Sequence, residues 1–559
     1  MFKLTGTCIA ALILLQTPYC AAQAAPAAAV VDQSLAARID AGIAPYFKAD
    51  EPGVTVIVTK DGKTVFRKAY GMANMAKHVP LTPDTVLRLG SITKQFTSTA
   101  ILMLAEEGKL SVSDEIGKYL PGYPTNGKKI TIEHLLNHTS GIVSYTSKRS
   151  FIENLGKDMT VAEMIDSFKN DPLDFEPGSK WKYNNSGYFL LGAIIEKVSG
   201  MPYARFVEQR IFVPLGMNNT AYEGFDRGTA PKAAGYTASG KQFGPNLVVS
   251  MTQPYAAGAL VSTVDDMARW DAAVSSGKLL KAASWQQAFT PAVIPGGAPT
   301  NYGYGWQLGT LRGVPTVYHG GSINGFKTFA MRVPSEHVYV AVLSNSDSGL
   351  MTPDVIAEKA AAHAIGKPFP QFAAIQLDPK ALEAFTGAYK INDKETRIFR
   401  VDGGKLIMQR SGRSSLEVLP YSAKGVFIPK LHDYFEFERD ATGAVTGLTQ
   451  YSGDTVNVQP RVGPVPADPQ IVKVAPALLD GYIGRYQVTP QMVIAISRDG
   501  DRLYGQAQGQ PAFELFPMSD TLFFVREVDA QVRFGKADDG SPQLVLSQNG
   551  RNMPGKKLN

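Results

Sequence analysis

Apolar and polar positions follow three successive regimes along this chain. Residues 35–49 read as a helix, after which 54–60 and 64–71 form two β-rich runs on either side of Asp61-Gly62, the mark of a hairpin. Helical spacing then dominates a long middle stretch, most clearly at 92–107, 132–136, 186–198, 203–212 and 264–274. Two further strand-like runs, 328–333 and 338–344, turn back around 334–337, and a helix over 351–364 follows. Strands at both ends of a mostly helical middle predict an α+β domain whose first and last segments share one sheet.

The pattern changes at Ile365-Gly366-Lys367-Pro368-Phe369-Pro370-Gln371-Phe372, which carries neither the helical nor the strand period and reads as a linker, placed at 367–375. Beyond it come short alternating runs punctuated by Asp-Gly and Gly, the pattern of an all-β region. That region repeats itself at an offset of 97 residues: Gly387 and Tyr389 match Gly484 and Tyr486, Asp402-Gly403 matches Asp499-Gly500, and Phe427 and Phe437 match Phe524 and Phe534. One register held over this length predicts two copies of a small β-barrel unit, at 376–467 and 468–559. Each copy is small enough to be marginal alone, so packing against the first domain, 26–366, is expected.

A chain of 559 residues exceeds what one hydrophobic core supports, in keeping with several domains. With 44% hydrophobic and 19% charged residues it has a globular composition. The formal charge of +6 is small and the Lys and Arg residues form no dense run, which argues against nucleic acid as a partner. Seven histidines show no H-E-x-x-H spacing and there is no C-x-x-C pair, so neither a metal nor another cofactor is expected. The N-terminus has Lys3, an apolar run over 9–15 and Ala22-Gln23-Ala24 before Ala25, the layout of a secretory signal peptide over 1–25 and hence of a periplasmic or secreted protein. The run is well short of the roughly 20 residues of a membrane span, so no stable membrane insertion is expected. Both cysteines, Cys8 and Cys20, lie within it, and Thr17-Pro18-Tyr19 is the wrong context for lipidation of Cys20.

Three short motifs carry chemistry. Ser91-Ile92-Thr93-Lys94 opens a helix that becomes apolar at 100–104 and stops at Gly108. Residues three apart share a helix face, so the Ser91 hydroxyl and Lys94 amine can meet, and burial lowers a lysine pKa toward that of a base. The same spacing recurs at Ser179/Lys182, in a Pro-Gly loop, and at Ser275/Lys278, at a helix end, where no core would hold it. Tyr183-Asn184-Asn185 offers a proton-transfer group and an amide two residues apart, although an asparagine there also suits capping of the next helix. His319-Gly320-Gly321 precedes a β run, where glycines let a substrate backbone approach closely, or simply form a turn. His138 reads as a turn-stabilising residue and stands outside the expected site.

Taken in order, Ser91/Lys94, Tyr183/Asn185 and His319/Gly321 resemble the active-site elements of serine hydrolases related to class C β-lactamases and D-Ala-D-Ala carboxypeptidases. Leu135-Leu136-Asn137-His138-Thr139-Ser140-Gly141, Tyr188-Phe189-Leu190-Leu191-Gly192, Gly258-Ala259-Leu260-Val261-Ser262-Thr263 and Gly303-Tyr304-Gly305-Trp306 are similar to segments of that family, and the resemblance covers about residues 34–365. It implies an antiparallel sheet flanked by helices, followed by two small lipocalin-like barrels. It also implies that Ser91 is acylated, with Lys94 and Tyr183 moving the proton, the choice of base between them staying open. Asn185, His319, Gly320 and Gly321 would bind substrate, and the backbone N–H groups of Ser91 and Ser322 would meet the oxyanion. His319 stands where typical β-lactamases carry a permanent cation, and histidine is neutral for much of the time near pH 7. Together with the two barrels this favours D-aminopeptidase-like hydrolysis of small peptides. The alternatives are a carboxylesterase, a β-lactamase or penicillin-binding protein, and a catalytically silent protein that binds peptidoglycan or a partner. The expected partner is a short peptide or other small molecule; the oligomeric state stays open, a dimer included.

Overall fold

The computed structural model describes residues 34–559 except 226–227, 229, 240–241, 298, 412, 414, 468, 490–491, 508–511, 527, 549–550 and 559. The expected signal peptide, with Cys8 and Cys20, lies outside the described residues. No helix among the described residues is long and apolar enough to cross a membrane.

Six antiparallel strands form the central sheet: β1 (Val54–Lys60), β2 (Lys63–Tyr70), β3 (Gln307–Leu311), β4 (Val314–Ile323), β5 (Phe326–Val333) and β6 (Val338–Ser344), in the order β3-β4-β5-β6-β1-β2. The first and last segments of the domain thus meet in the middle of one sheet, where Val58 of β1 lies opposite Val340 of β6. Alternation along these strands serves two cores. Val54, Val56, Val58, Val340 and Val342 face helices α1 (Leu35–Ala41) and α5 (Pro353–Ala364). Ile57, Ala341 and Leu343 face the helical middle, which holds α2 (Thr93–Glu106), α3 (Asn185–Ser199) and α4 (Val264–Ser276).

Most expected elements form where the pattern placed them, and the exceptions have local causes. The 35–49 helix stops at Ala41 and continues only as a tight turn, Ala44–Tyr46, because Pro45 cannot donate to the preceding helical turn. The helix expected over 203–212 widens from α geometry at Tyr203–Val207 to a π turn at Glu208–Phe212. α5 begins at Pro353, a residue suited to the first helical turn, rather than at Met351.

Beyond 367–378, which form neither helix nor strand, come two closed eight-stranded antiparallel barrels, from Gly387–Lys390 to Thr455–Gly463 and from Gly484–Thr489 to Arg551–Leu558. The 97-residue register is physical. Gly387 and Gly484 share φ near +150°, the Tyr389 and Tyr486 hydroxyls donate to the carbonyls of Phe385 and Tyr482, and Phe437 and Phe534 stack on Phe385 and Tyr482, each at 4.2 Å. The register slips by one residue from a bulge at Glu438/Arg439 that the second barrel lacks: Tyr434 pairs with Tyr451 but Gln531 with Ser547, and in the last hairpin Ser452 pairs with Thr455 but Gln548 with Arg551. The first barrel packs on the α+β domain. The N–H of Gly313 donates to Asp454 at 3.0 Å, and His432 stacks on Phe369 with Nε2 2.9 Å from Glu358.

Candidate active site

Ser91 sits in a tight turn, Gly90–Ile92, that leads directly into α2. Every residue of α2 from Thr93 to Leu104 is buried, so Lys94, with 0% exposure, is sealed in the domain centre although it is one helical turn from a partly exposed serine. Its Nζ lies 2.8 Å from Asn185 Oδ1, 2.9 Å from the Ala257 carbonyl and 3.1 Å from Ser91 Oγ. Desolvation pushes the amine pKa well below the usual lysine value. A neutral amine has two N–H bonds and one lone pair. The two carbonyl-type oxygens take the N–H groups, and the lone pair is left facing the Ser91 hydroxyl.

The Tyr183 motif divides its labour differently from the sequence reading. Asn184 is the cap of α3: its side chain accepts from the Gly187 N–H at 2.7 Å and donates to the Ile142 carbonyl. Asn185, the first helical residue, is thereby free to face inward. Its Nδ2 donates to Thr146 Oγ1 at 3.0 Å, which orients Oδ1 toward Lys94. The Tyr183 ring lies 4.9 Å from Lys94 Nζ. Its buried hydroxyl completes no hydrogen bond of good geometry, and burial raises its pKa above the usual tyrosine value, the nearby Ser91 hydroxyl pulling weakly the other way.

β4 brings His319, Gly320 and Gly321 against the same turn. Gly321 is sterically required, since a Cβ there would stand 2.0 Å from the Leu89 carbonyl oxygen, whereas one on Gly320 would meet only ordinary contacts. A Cβ on Gly90, which has φ +54°, would stand 2.9 Å from the Ser322 backbone nitrogen, so the Ser322 amide runs close beside the Ser91 turn. His319 is 2% exposed. Its Nδ1 lies 2.6 Å from the Gly320 carbonyl, which makes Nδ1 the protonated nitrogen, and Nε2 then accepts from the Tyr302 hydroxyl at 2.9 Å. Burial, with Lys94 nearby, lowers its pKa to about 3. His319 reaches the site as a neutral ring with both nitrogens engaged inside the protein.

The other Ser-x-x-Lys pairs do not assemble. Ser179 is exposed with Lys182 paired to Asp174, and Ser275 accepts from Arg332 while Lys278 donates to the Pro214 carbonyl. The family model described as Beta-lactamase matches residues 28–365, the segment that holds this whole arrangement.

The chain belongs to the beta-lactamase family. A second family model, Domain of unknown function (DUF3471), matches residues 468–554, within the second barrel unit. Penicillin-binding protein 4* of Bacillus subtilis (strain 168) is 30% identical over 410 residues, 68% of this chain and 89% of that protein. The structure of an octameric penicillin-binding protein homologue from Pyrococcus abyssi is 26% identical with a TM-score of 0.55, over 76% of this chain and 99% of that one. That of D-amino acid amidase from Ochrobactrum anthropi SV3 complexed with L-phenylalanine is 25% identical with a TM-score of 0.50, over 60% and 98%. Fold and relatives make this beta-lactamase family member a serine hydrolase.

Three groups of this beta-lactamase family site were not reachable from residue types. His138 is a turn residue, with φ +64°, but its Nδ1 also accepts the Asn184 N–H at 3.2 Å and its ring lies 4.4 Å from Tyr183 and 4.5 Å from Tyr302. It therefore ties the 135–141 segment to the Tyr183 motif. Tyr302 orients His319, and the Ala257 carbonyl holds Lys94; a backbone oxygen leaves no signal in residue identity.

Proposed function

We propose that Ser91 is the nucleophile of an exported hydrolase that cleaves amide bonds in small peptides, D-residues included. The observation that carries this reading is the coordination of Lys94, whose lone pair faces Ser91 while both N–H bonds are taken by fixed oxygens. As Oγ bonds to the substrate carbonyl carbon, the Ser91 proton passes to Lys94. The Tyr183 hydroxyl, kept protonated by its raised pKa, donates to the leaving amine as the C–N bond breaks and is reprotonated from Lys94. Water then cleaves the acyl-enzyme ester by the same route reversed. The N–H groups of Ser91 and Ser322 meet the oxyanion, each contributing on the order of 2.7–4 kcal/mol to lowering the barrier.

Substrate class follows from His319. A neutral ring with no free nitrogen gives a substrate carboxylate no charge to pair with, which disfavours β-lactams and D-Ala-D-Ala termini and favours amides whose leaving-group side lacks a free acid. The amidase activity named for the Ochrobactrum structure points the same way. The test is a panel of D- and L-aminoacyl anilides, short-chain esters and nitrocefin, beside labelling by a fluorophosphonate. Amine release exceeding nitrocefin turnover is expected, with labelling abolished in Ser91→Ala. Rapid ester hydrolysis without amine release would replace the peptidase with a carboxylesterase, and absence of labelling in folded protein would favour a silent binding role. Export is checked by the N-terminal mass of the secreted protein, expected to begin near Ala25.

A further inference from the structure

We propose that the lumen of the first barrel holds a carboxylate-binding site, in which the Nε–Nη2 edge of Arg397 takes both oxygens of a small monocarboxylate such as a peptide C-terminus or a free amino acid. Helix Pro379–Glu383 and Phe385, stacked on Phe437, fill one end of this barrel. Arg397 enters the lumen from the start of strand Thr396–Asp402, toward the other end, and is only 4% exposed. Its guanidinium packs 4.6 Å from the Phe435 ring, and Nη1 donates to Gln450 Oε1 at 2.9 Å and to Gln459 Oε1 at 3.0 Å.

Those two bonds engage one nitrogen of three. Nε is buried with no partner, and no described residue bonds to Nη2. The neighbouring carboxylates are committed elsewhere: Asp433 accepts from Gln450 at 3.0 Å, and Glu395 pairs with Arg410 at 2.6 Å. Burial lowers the Arg397 pKa to about 10, yet the group stays charged at neutral pH. Asp433 lies near enough to favour the charged guanidinium but does not touch it; a buried guanidinium with no carboxylate in contact is costly, and its free Nε–Nη2 fork matches the two oxygens of a carboxylate. The second barrel is an internal control for what the architecture needs. Ile494, 1% exposed, stands at the position equivalent to Arg397, opposite Tyr486 as Arg397 is opposite Tyr389. The barrel closes without the charge, so the cation serves something other than folding.

The test is calorimetric titration of the full chain carrying Ser91→Ala, so that no probe is consumed, with N-acetylphenylalanine, free phenylalanine, N-acetylphenylalanine amide and inorganic phosphate. A carboxylate-dependent binding step is expected that weakens by about tenfold or more on adding either Arg397→Ile or Arg397→Lys, the latter keeping the charge but losing the fork. Binding of either acid supports the site, the stronger of the two identifying its source. Thermal melts without ligand establish that each variant is folded, and a rise in melting temperature with the acid, absent in the variants, is the second readout. Equal acid binding with and without Arg397, Arg397-dependent binding of the amide, or phosphate bound in preference to the acids would overturn the assignment.

Discussion

Among the described residues, Lys94 and Arg397 are the two basic side chains sealed away from water without a carboxylate against them, one beside Ser91 and one in the first barrel. Lys94 is met by three oxygens and can answer burial by losing its proton; Arg397 is met on one nitrogen only and cannot. Burial therefore pushes the first toward its neutral form and leaves the second a standing charge. The difference lies in the residue type, and each surrounding suits it: fixed acceptors that leave one lone pair for Ser91, and an unfilled fork beside Phe435.

The strongest way to break this contrast is Lys94→Arg, which installs a cation unable to shed its proton. Acylation by ester substrates is expected to fall about ten-thousandfold or more, read as kcat/KM. Tyr183→Phe removes the proton donor and should cost roughly a hundred- to ten-thousandfold, with anilides hit harder than activated esters because an amine leaving group needs the proton. The pH profile sharpens the assignment of base. Only the neutral amine accepts a proton, so kcat/KM should rise with pH through the depressed Lys94 pKa. No alkaline fall from Tyr183 is expected near pH 10, the ordinary tyrosine value, because its pKa is raised. A bell closing below pH 10 would return the tyrosine to the role of base.

On the barrel side, Arg397→Ile copies the second barrel into the first and removes an uncompensated charge, so a gain of about 1–3 kcal/mol in unfolding free energy is expected from denaturant melts. The smallest effect is Asn184→Ala, which removes the α3 cap and should lower stability by about 1 kcal/mol, with loss of activity following from the displaced neighbours Tyr183 and Asn185.

The adjacent asparagines show where sequence reading stops. Either could cap a helix or face a site, and only the backbone turn, with Asn184 extended and Asn185 already helical, assigns the two tasks. His319 shows the same limit. Its motif brings it to the site, but the neutral state and the engaged nitrogens depend on Tyr302, on the Gly320 carbonyl and on the burial of the ring. Gly321, by contrast, was readable as a close-approach glycine, but the backbone it admits is the Leu89 carbonyl of this chain and not that of a substrate.

Periodicity, turn residues and a 97-residue repeat are local or self-referring signals, so the α+β order, the hairpins and the paired barrels were legible in the sequence alone. The three motifs were legible as well. What the tertiary structure decided is protonation and pairing: which amine is pushed toward neutrality, which histidine has both nitrogens engaged and which arginine keeps an unpartnered edge. These depend on groups far apart in the chain, Lys94 with Asn185 and Ala257, His319 with Tyr302, Arg397 with Gln450 and Gln459, and on how completely the fold withdraws them from water.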